Sequence, residues 1–154
     1  MRSILLFLCL LGTSCSGQKA VPKDKDDSSL KNTIKLQLVL EDNYSGVQQP
    51  GFQVVRDVKT LRNFFAQINK TRKPGLPVPQ VDFNKEQLLI YCAGTIIGVG
   101  GAELYVIEES QNNIAVGPMA RTPSSKKASE VATTPFSIYK MPLTPKEISF
   151  RKMK

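Results

Sequence analysis

The chain has 154 residues, with 21 Lys or Arg against 13 Asp or Glu, so that its formal net charge is +8 at pH 7. This length suits one domain once the N-terminal segment is set aside. The absence of histidine and tryptophan excludes Ser-His-Asp and Cys-His catalysis and histidine metal sites. Scattered basic loop residues favour solubility, and with no nucleic-acid motif in the sequence we expect no nucleic-acid partner.

The first fifteen residues have the layout of a secretory signal peptide. Arg2 precedes an apolar run over residues 4–11, and small residues then lead to Cys15. The run has about eight residues, far fewer than the roughly 20 that span a bilayer. A cysteine directly after small residues resembles a bacterial lipobox, in which the thiol is acylated and becomes the mature N-terminus. We predict a signal peptide over residues 1–14 and lipidation of Cys15; the alternative is a secreted protein with an unmodified cysteine.

Residues 16–32 are polar and charged and have almost nothing to bury, which is typical of a disordered tether. We therefore predict a lipidated N-terminus and tether over residues 15–32 and a single domain over residues 33–154. Since Cys9 leaves with the signal peptide and Cys15 takes the lipid, Cys92 remains alone and no intramolecular disulfide is expected. The domain must then be stabilised by a hydrophobic core.

Two strands and a helix are predicted first in the domain. Residues 34–41 alternate, with Ile34, Leu36, Leu38 and Leu40 on one face, which indicates a half-buried strand. Residues 52–56 predict a second short strand. Asp57 is the expected helix N-cap. The apolar residues that follow it at helical spacing are Val58, Leu61, Phe64, Phe65 and Ile68.

The second half of the domain reads as strands separated by turns. Residues 87–93 are almost continuously apolar, which suits a central strand buried on both faces, with Cys92 as a buried, inert thiol. Residues 102–109 and 114–117 predict a hairpin. Residues 119–134 are expected to form a long polar loop, and residues 136–141 and 148–152 two final short strands.

With one helix and mostly short connections, the strands are expected to be mainly antiparallel. The predicted fold class is α+β, a twisted sheet of about six to seven short strands with one covering helix. A small β-barrel or sandwich is the alternative.

A glycine-rich loop follows the apolar strand. Its residues are Gly94, Thr95, Ile96, Ile97, Gly98, Val99, Gly100 and Gly101. A phosphate cradle needs a helix after the glycines or a Gly-Lys-Ser/Thr motif, and the sequence has neither. Exposure of apolar side chains in a surface loop is unfavourable, so that another group is expected to cover them. We predict that a protein partner covers them; the alternative is that the domain's own sheet does.

Several short motifs occur in a characteristic order. They are Tyr44-Ser45-Gly46, Val54-Val55-Arg56-Asp57 before the helix, Val81-Asp82-Phe83, Gly94, Gly100-Gly101 and Thr134-Pro135-Phe136. Together they resemble the PrcB family, named for an accessory lipoprotein subunit of a spirochaete cell-surface protease complex, over residues 44–141. The chain departs from the family in two respects: where the family often has a Trp in the helix, it offers Leu61, Phe64 and Phe65, and where the family often has an aromatic after the paired glycines, it has Ala102.

The resemblance implies a non-enzymatic partner of a surface protease and supplies no catalytic residues. The motif Val81-Asp82-Phe83 also has a structural interpretation, in which Asp82 caps a turn while Val81 and Phe83 are buried.

These observations predict a bacterial lipoprotein, at the surface or facing the periplasm, that acts as a non-catalytic protein-interaction module and as an accessory or stabilising subunit of an extracytoplasmic protease. We expect a cell-envelope location at the outer membrane, contact with the membrane through the lipid, and no metal or cofactor. The alternative is a carbohydrate- or peptide-binding lipoprotein for uptake. A pocket lined by Tyr91, Tyr105 or Tyr139 would favour that alternative.

Lipidation is tested at Cys15. The Cys15→Ser variant should lose labelling by a fatty-acid probe and leave the membrane fraction. Two acyl chains anchor a protein lastingly in a membrane, and the variant cannot carry them. Cys9→Ser is the matched control and should be labelled like the wild type. Unchanged labelling of the Cys15→Ser variant would contradict the prediction.

Overall fold

The computed structural model describes residues 34–98, 102–120 and 131–151, and these contain nine strands and one helix. In chain order they are β1 (Gln37–Asp42), β2 (Gly51–Val55), α1 (Val58–Ile68), β3 (Glu86–Cys92), β4 (Ile96–Ile97), β5 (Ala102–Glu109), β6 (Asn113–Ala120), β7 (Ala132–Thr133), β8 (Phe136–Pro142) and β9 (Glu147–Phe150). In this described part of the chain, the sheets are mostly antiparallel and form no closed barrel. The predicted α+β fold with a single helix is confirmed, but the described residues form nine strands in three sheets where about six to seven strands in one sheet were predicted.

A four-stranded antiparallel sheet in the order β1-β8-β3-β2 is the middle layer. Its inner strand β3 is buried along both faces, as its apolar sequence predicts. Leu88 and Ile90 contact the helix-side core, while Leu89 and Tyr91 contact the core on the opposite face. Because side chains alternate between the two faces of a strand, β3 contributes residues to both cores.

Helix α1 covers one face of this sheet. Asp57 caps it, because its Oδ1 accepts a hydrogen bond of 2.8 Å from the backbone N–H of Thr60. The four buried helical residues are Leu61, Phe64, Phe65 and Ile68. Burial of a ring such as that of Phe65 stabilises the fold by about 1.5–3 kcal/mol. Val58 was predicted to share this stripe, but it lies in the first turn, outside the helix-side core, and is 47% exposed.

A three-stranded sheet in the order β5-β6-β9 covers the other face. Its strands β5 and β6 form the predicted hairpin, whereas β6 and β9 run parallel. Phe150 of β9 stacks against Phe52 at 5.0 Å and against Tyr91 at 5.3 Å, measured between ring centroids. These aromatic contacts join the two sheets.

The alternation predicted for residues 34–41 is wrong in one respect. The pairing of β1 with β8 shifts register between Leu38 and Leu40, as a β-bulge does. Ile34 and Leu36 pack on the second-sheet side, whereas Val39 and Leu40 pack on the helix side. One inserted residue moves the following side chains to the opposite face, so that the four predicted residues do not share a face.

The two segments predicted as loops, the glycine-rich loop and residues 119–134, both contain short strands. In the loop predicted over residues 119–134, Met119 belongs to β6 and residues 132–133 form β7, while residues 121–130 lie outside the described residues. The glycine-rich loop contains β4, which pairs with β7. Two-residue strands give no periodic sequence signal, which is why the sequence alone predicted loops here.

Candidate interaction surface

The glycine-rich loop forms half of a two-stranded ribbon, β4–β7, in which Ile96 lies opposite Thr133 and Ile97 opposite Ala132. Thr133 is buried and Ile96 is half-buried, whereas Ile97 is 73% exposed and Ala132 is also exposed. Side chains alternate between the two faces of a strand. The ribbon therefore has an inner face toward the domain and an outer face with apolar side chains in solvent.

The glycines at either end of β4 set the ribbon's path. Gly94 is buried with φ of 78°, and a Cβ there would lie 2.8 Å from the ring of Pro50 and 2.9 Å from the carbonyl oxygen of Gln48. Only glycine allows this approach without strain. Gly98, with φ of 105°, donates its N–H to the carbonyl oxygen of Val131 at 2.9 Å. The hydroxyl of Thr133 donates to the carbonyl of Gly98 at 2.7 Å.

Other predicted site residues have different positions. Thr95 is exposed, and its N–H donates to the carbonyl of Gln48 at 2.9 Å. Val99, Gly100 and Gly101 of the predicted contact loop lie outside the described residues, as does the predicted lipidation site Cys15.

The segment that contains β7 is hydrogen-bonded on its other side to the loop after β1. Ser45 donates its N–H to the carbonyl of Thr134 at 2.7 Å, and Thr134 donates its own N–H to the carbonyl of Asn43 at 2.9 Å. The Thr134 hydroxyl oxygen also accepts from the N–H groups of Ser45, at 3.1 Å, and Gly46, at 3.0 Å. Residues 131–134 thus lie between residues 43–46 and the strand β4.

Arg72, just beyond the helix, fixes the loop after β1. Its guanidinium donates to both carboxylate oxygens of Asp42, one of these bonds measuring 3.2 Å, and to the carbonyl of Tyr44. Burial alone would raise the pKa of Asp42, but the hydrogen bonds from Arg72 and from the N–H of Tyr44 outweigh it, so that this pKa lies below its usual 3.8. This pair could not be predicted from local sequence, because its members are thirty positions apart.

A groove of about 550 Å³ lies between this loop and the end of the helix. Its lining residues are Tyr44, Ser45, Gly46, Gln67, Ile68, Lys70, Thr71, Arg72 and Thr134. The motifs Tyr44-Ser45-Gly46 and Thr134-Pro135-Phe136, far apart in sequence, therefore meet beside it. The hydrogen bonds that join Ser45 and Gly46 to Thr134 hold these two loops in place.

Val81-Asp82-Phe83 has the structural role that the sequence predicts. The carbonyl of Asp82 accepts from the N–H groups of Lys85 and Glu86 at 2.9 Å, and its carboxylate Oδ1 accepts from the backbone N–H of Asn84 at 3.1 Å. Val81 and Phe83 are half-buried against the helix-side core. The predicted turn cap at Asp82 is confirmed.

Two observations concern groups that cysteine chemistry or metal binding would use. Cys92 is buried, and burial raises the pKa of its thiol to about 11, so that the thiolate nucleophile is scarce at neutral pH. Within residues 34–98, 102–120 and 131–151, no three His, Cys, Asp or Glu side chains gather as metal ligands. In the same ranges no helix is long and apolar enough to cross a membrane.

The three tyrosines that would favour a small-ligand site do not line this groove. Tyr91 and Tyr139 are buried in the core between the two sheets, and Tyr105 is half-buried on β5. Tyr91 and Tyr139 therefore contribute to the packing between the two sheets.

No protein-family model, no curated protein and no solved structure matches the chain. The resemblance to the PrcB family therefore rests on the short motifs alone and remains a prediction.

The pair between Asp42 and Arg72 predicts a defined response to acid. Because folding lowers the pKa of Asp42, its contribution to stability is present above the unfolded value of 3.8 and is lost as pH falls below it. Asp42→Asn should lower the free energy of unfolding by about 1 kcal/mol at pH 7, and this difference from wild type should shrink toward pH 2.5. Urea unfolding at both pH values measures it.

Glu147→Gln, at an exposed carboxylate, is the matched control and should change stability little at either pH. An Asp42→Asn variant as stable as wild type at pH 7 would contradict the role assigned to the pair.

Proposed function

We propose that the chain is an extracytoplasmic, lipid-tethered and non-catalytic protein-interaction module, and that its partner binds the outer face of the β4–β7 ribbon. The supporting observation is Ile97, a large apolar side chain that is 73% exposed on a strand fixed by backbone hydrogen bonds. Exposed apolar groups cluster at sites where another molecule binds.

The ribbon suits binding because its backbone is already ordered. Gly94 and Gly98 bend tightly against Gln48 and Val131, so that little conformational freedom is left to lose on association. Burial of one isoleucine side chain contributes about 1.5–3 kcal/mol. Val131, 55% exposed at the end of the ribbon, adds further apolar area.

The partner class follows from the motif resemblance. An accessory subunit of an extracytoplasmic protease needs a binding surface and a stable domain, and it needs no catalytic set of its own. A buried, protonated Cys92 and the absence of histidine are compatible with that role. An uptake lipoprotein is less well supported, since Tyr91 and Tyr139 are packed inside the core.

The test is Ile97→Asp in the full-length, tagged protein, captured from its own membranes with its bound proteins quantified by mass spectrometry. We expect the partner's recovery to fall by about tenfold or more, as for a central apolar contact, while the free energy of unfolding changes by no more than about 0.5 kcal/mol.

Val78→Asp is the matched control, because Val78 is 41% exposed but lies in the proline-rich segment away from the ribbon in sequence. It should leave recovery unchanged. A large loss of stability in Ile97→Asp would assign this side chain to the core, and unchanged recovery would contradict the proposed surface.

A further inference from the structure

Among the described residues, strand β2 is an edge strand of its sheet and pairs with β3 alone. The pairing of β3 with β8 determines which backbone groups of β2 face outward. Ala93 donates its N–H to the carbonyl of Pro135 at 2.9 Å, and at the other end of the strand Leu143 donates to the carbonyl of Lys85 at 2.7 Å. The odd-numbered residues of β3 therefore bond to β8, since bonded and non-bonded pairs alternate in antiparallel sheets.

The even-numbered residues of β3 consequently bond to β2. Ile90 and Cys92 lie opposite Gln53 and Gly51. Phe52 and Val54 therefore direct their N–H and C=O groups away from the sheet. Neither residue forms a backbone hydrogen bond to a described residue beyond the sheet. Four backbone groups at this edge are available to a further strand.

A groove of about 360 Å³ lies beside this edge on the helix side. Ile90 and Cys92 of β3 and Phe64 of the helix are buried residues that line it, and Gln53 and Gln67 are exposed ones. Gly51 keeps the groove open: a Cβ there would meet no atom within 4 Å, and its φ is not positive. The backbone does not require glycine here, and a glycine within a strand often marks the close approach of another chain.

The charges beside the groove indicate what it accepts. None of its lining residues is charged; they are Val47, Gly51, Phe52, Gln53, Phe64, Gln67, Ile90 and Cys92. Gln67 also lines the larger groove, together with Lys70. Lys70 is exposed and makes no ion pair with a described residue. An apolar site thus adjoins a basic one, on a chain of net charge +8.

We propose that this edge binds an extended segment of a partner protein as an additional β-strand. The segment hydrogen-bonds to the outward groups of Phe52 and Val54, places one uncharged apolar side chain in the groove over Gly51, and has an acidic residue beside it that faces Lys70. Main-chain bonds supply affinity and the side-chain pocket supplies specificity in this mode of recognition. The inference rests on the proposed interaction function and names the partner's chemistry at a second surface.

The opposite edge of the same sheet is a poorer template. There β1 contains the bulge between Leu38 and Leu40, and bulges interrupt the regular row of groups that a new strand needs. The edge at β2 pairs in regular register from Gly51 to Val55. Strand addition is therefore assigned to β2.

The probe is a displayed library of random ten-residue peptides, selected on the whole protein. Enriched sequences should contain an apolar residue with an acidic neighbour, and a synthetic peptide of that sequence should bind in fluorescence anisotropy. Lys70→Gln should weaken this binding and reduce its salt dependence, whereas Lys35→Gln, at an exposed position just before β1, should leave the affinity unchanged. Failure to enrich any such sequence overturns the proposal.

Gly51→Val tests the groove directly. The added side chain fills the space where the peptide's apolar group would lie, so binding should weaken by roughly tenfold or more, while stability stays equal or rises, because glycine weakens a strand by about 0.5–1 kcal/mol. Gln37→Val, an exposed position on the opposite edge strand, is the matched control. Unchanged peptide affinity in Gly51→Val overturns the proposal.

Amide hydrogen exchange supplies a measurement that needs no variant. In the free protein the N–H groups of Phe52 and Val54 should exchange quickly and that of Gln53 slowly, and added peptide should protect the first two. Protection unchanged by peptide overturns strand addition. Because Ile97 lies on the ribbon and Gly51 on β2, loss of the partner in Ile97→Asp but not in Gly51→Val would refute this inference alone.

Discussion

The hydrogen bonds around Thr134 are the constraint on which the exposed surface depends. Its carbonyl and hydroxyl oxygens accept from the N–H groups of Ser45 and Gly46, and its own N–H is bonded to Asn43. Ser45 is buried, so a lost partner would leave a buried donor unsatisfied, at a cost of about 1–3 kcal/mol. Directly after Thr134, Pro135 accepts from Ala93 at the end of the central strand. The adjacent residues Thr134 and Pro135 therefore connect the surface loops to the end of the central strand by hydrogen bonds.

This arrangement explains how loops rich in glycine hold apolar side chains in solvent. The ribbon is ordered because Gly94 and Gly98 permit backbone conformations in which Thr95 donates its N–H to Gln48 and Gly98 donates its N–H to Val131. Arg72 then fixes the adjoining loop through Asp42. The apolar projection at Ile97 and the edge at β2 are the two surfaces proposed here to bind protein, one through side-chain burial and one through main-chain pairing.

Features determined by neighbours in sequence were predictable, and features determined by distant pairing were not. Strand β3, the cap at Asp57 and the turn at Asp82 follow from local composition, and all three are confirmed. The bulge in β1 could not be predicted, because a regular alternation gives no sign of an inserted residue. The β4–β7 ribbon depends on pairing between residues more than thirty positions apart, for which two-residue strands leave no pattern.

The candidate site was predicted in part. The apolar character of the glycine-rich loop indicated a contact surface, yet sequence alone could not separate Ile96, which is half-buried, from Ile97, which is exposed. Only the pairing partner decides which side chain faces inward. The groove at Gly51 had no sequence signal, since a single glycine near a strand end is common in turns.

The most direct test of the central claim is native-state amide hydrogen exchange of the free wild-type protein, followed by NMR at Ser45, Thr95 and Gly98. These three amides lie outside the sheets of the core, yet each donates to a backbone carbonyl across the surface: Thr134, Gln48 and Val131 respectively. We expect all three to exchange far more slowly than unstructured amides, because each must break the backbone hydrogen bond that fixes its loop before it can exchange. Exchange of all three at unstructured rates would contradict a fixed surface.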